Sequence, residues 1–215
     1  MDNAGTLVGR ITVDDVMDVI EEEDMYKMAG TSEAEMERPS VLGIARTRLP
    51  WLLVGVLGSL LSGGVIQAFK VTLEGMFTLA TFLPVIMAIG GSSGLQACTV
   101  TVRGLVTGQV SSGMVWRTVL REMGTAVLMG IVCGGLASGV AWVWFGQALI
   151  GVCVGVSIFL VICLAIGFGV ATPLIFDRLD IDPAVASGPF ITISNDILGV
   201  FIYLQMATLL MKIFV

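Results

Sequence analysis

Between Met123 and Phe176 the chain runs for 54 residues without a charge. An ordinary soluble domain carries a charge on about a quarter of its residues, so a run of this length belongs in hydrocarbon. At about 20 residues per transmembrane helix it holds two spans. The turn between them is predicted at Trp142 to Gln147, where two Trp, a Gly and a Gln suit the lipid–water interface. Three further runs are of the same kind. Leu49 to Phe69 has 21 uncharged residues, Met76 to Val102 has 27, and Pro183 to Met211 has 29 with one charge, Asp196. As a helix the last run extends about 43 Å, more than a hydrocarbon core of about 30 Å, so it crosses with tilt. With 56% apolar residues, 13% charged residues and a mean hydropathy of +0.96, the sequence reads as an all-α polytopic membrane protein with five transmembrane helices.

Lys and Arg set the orientation. With the N-terminus in the cytosol, inner segments hold Arg38, Arg46, Arg48, Arg103, Arg117, Arg121 and Arg178, and outer ends hold only Lys70 and Lys212. Seven against two predicts N-terminus cytosolic and C-terminus outside. Residues 1–20 show no basic region followed by a long apolar run, so the first span is expected to act as its own insertion signal. The net charge of −6 is divided unevenly: residues 1–37 hold eleven acids and two bases, whereas residues 38–215 hold nine bases and six acids. The acidic end suits cation binding or plain solubility and argues against nucleic acid. The four cysteines, Cys98, Cys133, Cys153 and Cys163, form no CxxC pair, and there is no His. Zinc, haem and redox-pair chemistry are therefore not expected.

The acidic end reads as a short strand, Leu7 to Ile11, and then a helix. Thr12 with Asp15 resembles a capping box. Val13, Val16, Met17, Val19 and Ile20 give an apolar face, and Glu21 to Asp24 is expected to end the helix. One strand and one helix bury no core alone, so this piece reads as the tail of a larger domain. Residues 25–37 are polar, with a break at Gly30 to Ser32. An amphipathic stretch from Pro39 to Arg48 either lies on the membrane surface or continues into the first span.

Asp196 is costly at mid-bilayer depth, about 3 kcal/mol on insertion scales, and such a group usually faces water, an ion or a partner charge. Gly188, Thr192, Gly199 and Tyr203 fall on one helical stripe with it. The second span carries Pro84, then Gly90-Gly91-Ser92-Ser93-Gly94-Leu95-Gln96, then Thr99 and Thr101. Gly90 and Gly94 alone suit close helix packing. The added hydroxyls and Gln suggest a helix loosened at Pro and Gly that lines a water-filled path. Before the fifth span, Asp182-Pro183 reads as an N-cap followed by proline at the first helical position. Ion binding explains Asp182 equally well.

The run Pro84 to Gln96 resembles the second-span signature of the MgtE family of magnesium channels. So does the run Asp182 to Phe190, with Asp196 fourteen residues after Asp182. Residues 7–24 are similar to the end of that family's second CBS domain and the start of its connecting helix. Most of the family's cytosolic part, an N-domain and the bulk of two CBS domains, has no counterpart expected in these residues. The resemblance implies residues 1–24 as a CBS-like remnant, 25–48 as a plug-like connecting helix and 49–215 as a five-span pore domain. It implies a homodimer in the lipid bilayer of the cell (inner) membrane, with the pore on the dimer axis lined by the second and fifth spans. The family's central metal site falls on Asp196, with companions at Ala88, Gly91, Leu95 and Thr99 of the second span and Val185, Gly188 and Thr192 of the fifth. Its regulatory sites, where cytosolic Mg²⁺ favours closure, fall on Asp15, Asp18, Glu23, Asp24 and Asp182. Mg²⁺ is then both transported ion and regulatory ligand.

The chemistry agrees: Mg²⁺ prefers octahedral oxygen and dehydrates reluctantly, so a pore for it engages bound waters through carboxylates and carbonyls. Selectivity among Mg²⁺, Mn²⁺, Co²⁺, Ni²⁺ and Ca²⁺ stays open. An intramembrane enzyme is disfavoured. Only one Asp lies deep, and no His or Lys stands in the spans to activate a serine. Within transport, a proton-coupled divalent cation exchanger using Asp196 is the alternative to a channel. A membrane anchor or interaction protein with merely structural acids is a third reading.

Overall fold

The structure is a computed structural model that describes residues 11–28, 40–75, 77–108 and 115–214. The described chain is helical throughout. Helix α1 is Val13–Met28, α2 Val41–Ala68, α3 the short Lys70–Gly75, α4 Leu83–Val106, α5 Val115–Phe145, α6 Ala148–Arg178 and α7 Pro183–Phe214. A 3₁₀ segment, Phe77–Phe82, leads into α4. Five helical stretches are long and apolar enough to cross a membrane: Val41–Ala68, Phe77–Val106, Val115–Phe145, Ala148–Arg178 and Gly188–Leu210.

Local chemistry explains the ends. Ser40 caps α2, its hydroxyl accepting the Gly43 N–H at 3.2 Å. Pro84 sits in the first turn of α4, where a missing N–H costs nothing. Between α5 and α6 the chain reverses at Gly146, whose φ of 66° is cheap only for glycine. Its N–H donates to the Trp142 carbonyl at 2.8 Å. This is the turn expected from the Trp142–Gln147 interface cluster. Asp182 caps α7, its Oδ1 accepting the Ala184 N–H at 3.0 Å, and Pro183 opens the helix as predicted.

Helix α6 is the hub, packed on α5, α4 and α7, and the most buried of the five spans. Glycine brings α5 and α6 together. A Cβ on Gly155 would meet the Gly134 carbonyl at 2.9 Å, and one on Gly151 would meet the Ser138 carbonyl at 2.8 Å. Ile86, Val154, Ile158, Val161, Ile162, Val200 and Tyr203 form the centre of the core. The Tyr203 hydroxyl donates to the Leu79 carbonyl at 2.8 Å, pinning the 3₁₀ segment to α7. Helix α2 lies at the edge, packed on α7, and α1 also packs on α7.

Several expectations change. The acidic run Glu21 to Asp24 does not end α1, which continues to Met28. Of the stretch 25–48, residues 25–28 lie in α1 and 41–48 in α2, and 29–39 lie outside the described residues. The predicted strand at Leu7 to Arg10 also lies outside them, and Ile11 is in neither helix nor strand. The amphipathic stretch before the first span continues into it as one helix through Pro50.

The second span is not loosened at its glycines, because α4 runs unbroken from Leu83 to Val106. Three of its hydroxyls donate inside the helix. Ser93 donates to the Ile89 carbonyl at 2.7 Å, Thr99 to Leu95 at 2.9 Å and Thr101 to Ala97 at 2.7 Å. Such back-bonding satisfies the hydroxyl donor and leaves the oxygen lone pairs. The fifth-span stripe also divides. Gly199 and Tyr203 are buried in the core, whereas Thr192 is exposed and Asp196 half-buried. The stripe keeps one face, but what it meets changes along the helix.

Candidate functional site

Asp196 opens into a cavity of about 700 Å³ between α2, α4 and α7. Helix α2 supplies one wall, with Trp51, Gly55 and Ser59; α4 contributes Leu95, and α7 contributes Gly188, Thr192 and Asp196. Four candidates from the sequence, Leu95, Gly188, Thr192 and Asp196, therefore share one space. Gly91 stands beside it: a Cβ there would lie 3.7 Å from the Thr192 methyl. Thr192 donates its hydroxyl proton to the Gly188 carbonyl at 3.1 Å, which leaves its oxygen lone pairs for water or an ion. Among the described residues, no hydrogen bond is made to Asp196 and no Lys or Arg pairs with it.

Ala88 and Thr99 do not line this cavity. They lie with Ser92, Leu95 and Gln96 on the exposed face of α4. The opposite face, with Gly90, Ser93, Gly94, Ala97, Cys98 and Thr101, is buried. The side chain of Val185 lies outside the described residues.

Among the described residues, no three Asp, Glu or Cys side chains gather as a metal site. Asp15 is exposed and engaged with Thr12. The Thr12 N–H and hydroxyl donate to Asp15 Oδ2 at 2.6 and 2.7 Å, and the Asp15 N–H reaches back to the Thr12 hydroxyl at 3.4 Å. This is the capping box read from the sequence, with Asp in place of Glu. The Thr12 side-chain bond, then the backbone bond, hold the Asp15 carboxyl below its ordinary value of 3.8. Asp18 and Glu23 are exposed, and the side chain of Asp24 lies outside the described residues. Asp182 is occupied as the α7 cap.

Two features were missed from sequence. Asn195, beside Asp196, is buried at 3% exposure and donates to the Gly90 carbonyl at 3.2 Å. A second polar residue adjoining a deep Asp was the available signal. The α2 wall was missed as well; Gly55 and Ser59, small residues four apart, were the hint of a helix face turned to a cavity.

The sequence profile of the MgtE family, described as a divalent cation transporter, matches residues 83–206, from the start of α4 into the last third of α7. Three curated relatives carry the name magnesium transporter MgtE. The Bacillus subtilis protein is 37% identical over 205 residues, covering 94% of this chain and 46% of the relative. The Thermus thermophilus protein is 34% identical, covering 99% of this chain and 48% of the relative. The Enterococcus faecalis protein is 33% identical, covering 97% and 47%. The chain thus spans about half the length of the curated relatives it matches. Its helices long enough to cross a bilayer and the profile match over more than half its residues agree: this chain is a multi-pass membrane protein and belongs to the MgtE family.

Proposed function

We propose that this chain conducts Mg²⁺ across the cell membrane as a homodimer, with Asp196 at the ion site. The observation that carries the reading is Asp196 itself, a carboxylate in the fifth span that faces a cavity and has no cation or donor paired with it among the described residues. A carboxylate so placed is costly unless a cation or water attends it. The relatives' names supply the ion.

One chain offers the cavity a single carboxylate, too little for a divalent cation. A two-fold axis beside α4 and α7 would bring a second Asp196, and the pair would match the charge of hydrated Mg²⁺. The exposed face of α4, with Ala88, Ser92, Leu95, Gln96 and Thr99, is the surface such a partner would cover. Ser92, Gln96 and Thr99 are polar groups that lipid does not solvate. Thr192 and the Gly91, Val185 and Gly188 backbone would hold the ion's waters. Each subunit would have its N-terminus in the cytosol and its C-terminus outside, with residues 49–215 as the pore domain. Residues before 49 would regulate it: α1 bears Asp15, Asp18, Glu23 and Asp24 and packs on α7, the helix that Asp182 caps. Mg²⁺ bridging these acids would favour closure.

The test is current across a planar bilayer containing the purified chain. A channel gives Mg²⁺ current that reverses at the Mg²⁺ equilibrium potential whatever the proton gradient. Flux that follows the proton gradient instead would identify an exchanger. Absence of any cation flux would leave an anchoring role and overturn the proposal.

A further inference from the structure

The glycine pair of α4 has a use that packing alone does not explain. Gly90 and Gly94 form a notch, and the notch holds the side-chain amide of Asn195. The amide donates to the Gly90 carbonyl at 3.2 Å, and Ser93 Oγ reaches the same carbonyl at 3.3 Å. A methyl group on Gly94 would collide with Asn195 Nδ2 and would press Ile191 Cγ2 at 3.0 Å and the Ala165 carbonyl of α6 at 3.1 Å. A methyl on Gly90 would press Val161 Cγ1 at 3.1 Å and approach Asn195 Cβ at 3.8 Å. Three helices thus converge on one polar group that is 3% exposed.

Successive side chains on a helix point about 100° apart. Holding Asn195 in the notch therefore fixes the direction of its neighbour, and that direction is the cavity lined by Thr192 and Leu95. A hydrogen bond between helices in lipid has no solvent competitor, so it sets rotation as well as contact. We propose that Asn195 is a positioning residue for ion passage: its amide, seated between Gly90 and Gly94, locks the rotation of α7 against α4 and so aims the Asp196 carboxylate at the ion path. The inference rests on the reading of Asp196 as the ion site.

A purely structural hydrogen bond would behave differently. Its loss would lower the melting temperature and the yield, and would leave ion affinity per folded molecule unchanged. The experiment is Mg²⁺ uptake by proteoliposomes of the full chain across a range of external Mg²⁺, for wild type, Asn195→Ala and Asn195→Ser, with melting temperature measured alongside. Removing a group that orients a metal-binding carboxylate costs about tenfold or more in affinity. Asn195→Ala is expected to raise half-saturating Mg²⁺ by that factor. Asn195→Ser keeps a small donor in the notch; it is the variant to read if the alanine variant does not fold, and it should shift in the same direction by less. Half-saturation unchanged in an active, folded variant, with only the maximal flux or the melting temperature reduced, overturns the inference alone. Absence of uptake by wild type overturns the ion-site reading and the inference with it.

Discussion

Asp182 and Asp15 are acids proposed as regulatory ligands, and each already has a local task. The Asp182 carboxylate accepts the Ala184 N–H and so caps the longest of the described helices. Asp182→Ala should destabilise by about 1 kcal/mol, the usual value of an N-cap, and Asp182→Asn should keep most of that stability. Thermal unfolding in detergent measures both. Any change in the response to cytosolic Mg²⁺ in Asp182→Asn then reports on charge and not on the cap. For Asp15 the sign follows from its bonds to Thr12. The folded carboxyl titrates below 3.8, so its support for α1 is present above that value and is lost as pH falls through the lowered one. Thr12→Val removes the larger cause and should return Asp15 towards 3.8, with the backbone bond keeping part of the shift. An NMR titration of the Asp15 carboxyl carbon checks this, and an unmoved midpoint would contradict it.

At the scale of elements, the helices follow from runs of apolar residues and their punctuation, and these were legible. The Trp142–Gln147 turn and the Asp182-Pro183 start stand where the sequence put them, because a glycine at positive φ and a capping carboxylate act within a few residues. Which side of α4 meets protein was not legible. Ser92 and Ser93 are adjacent and alike in type, yet Ser92 is exposed and Ser93 buried. Only the placement of α6 and α7 decides between them. The same limit hid Asn195, whose partner Gly90 is 105 positions away. Contacts between elements carry their own prediction. A Cβ on Gly134 would meet the Gly155 carbonyl at 2.6 Å, whereas one on Gly135 has nothing within 4 Å. Gly134→Ala should therefore cost about 1–3 kcal/mol through overpacking of α5 on α6. Gly135→Ala should be neutral or stabilise by up to about 1 kcal/mol, from helix propensity. Melting temperatures of the two variants in one detergent separate them, and equal losses would refute the packing account.

For the whole molecule, the proposed orientation would put the α5–α6 turn outside and the α6–α7 loop in the cytosol. With the four native cysteines replaced by alanine, Gln147→Cys should react with an impermeant thiol reagent added to intact cells. Asp177→Cys should react only after the membrane is opened. The reverse pattern would invert every assignment of inner and outer sites. The molecule is also uneven in what it covers: α6 is enclosed, whereas α2 and one face of α4 are left bare. A bare apolar α2 suits lipid, but the polar face of α4 calls for water or a second copy, and the proposed dimer supplies both. Such an assembly lies beyond one chain's sequence because no residue pattern distinguishes a polar face turned to a partner from one turned to a core.

The central claim is that ions pass Asp196. Its most direct test is Mg²⁺ influx into proteoliposomes loaded with a magnesium-sensitive dye, wild type beside Asp196→Ala, with oligomeric state checked in both. Influx through wild type and its loss in a folded mutant that still associates as wild type does are expected. Equal influx through both would leave a transporter but remove Asp196 from its path.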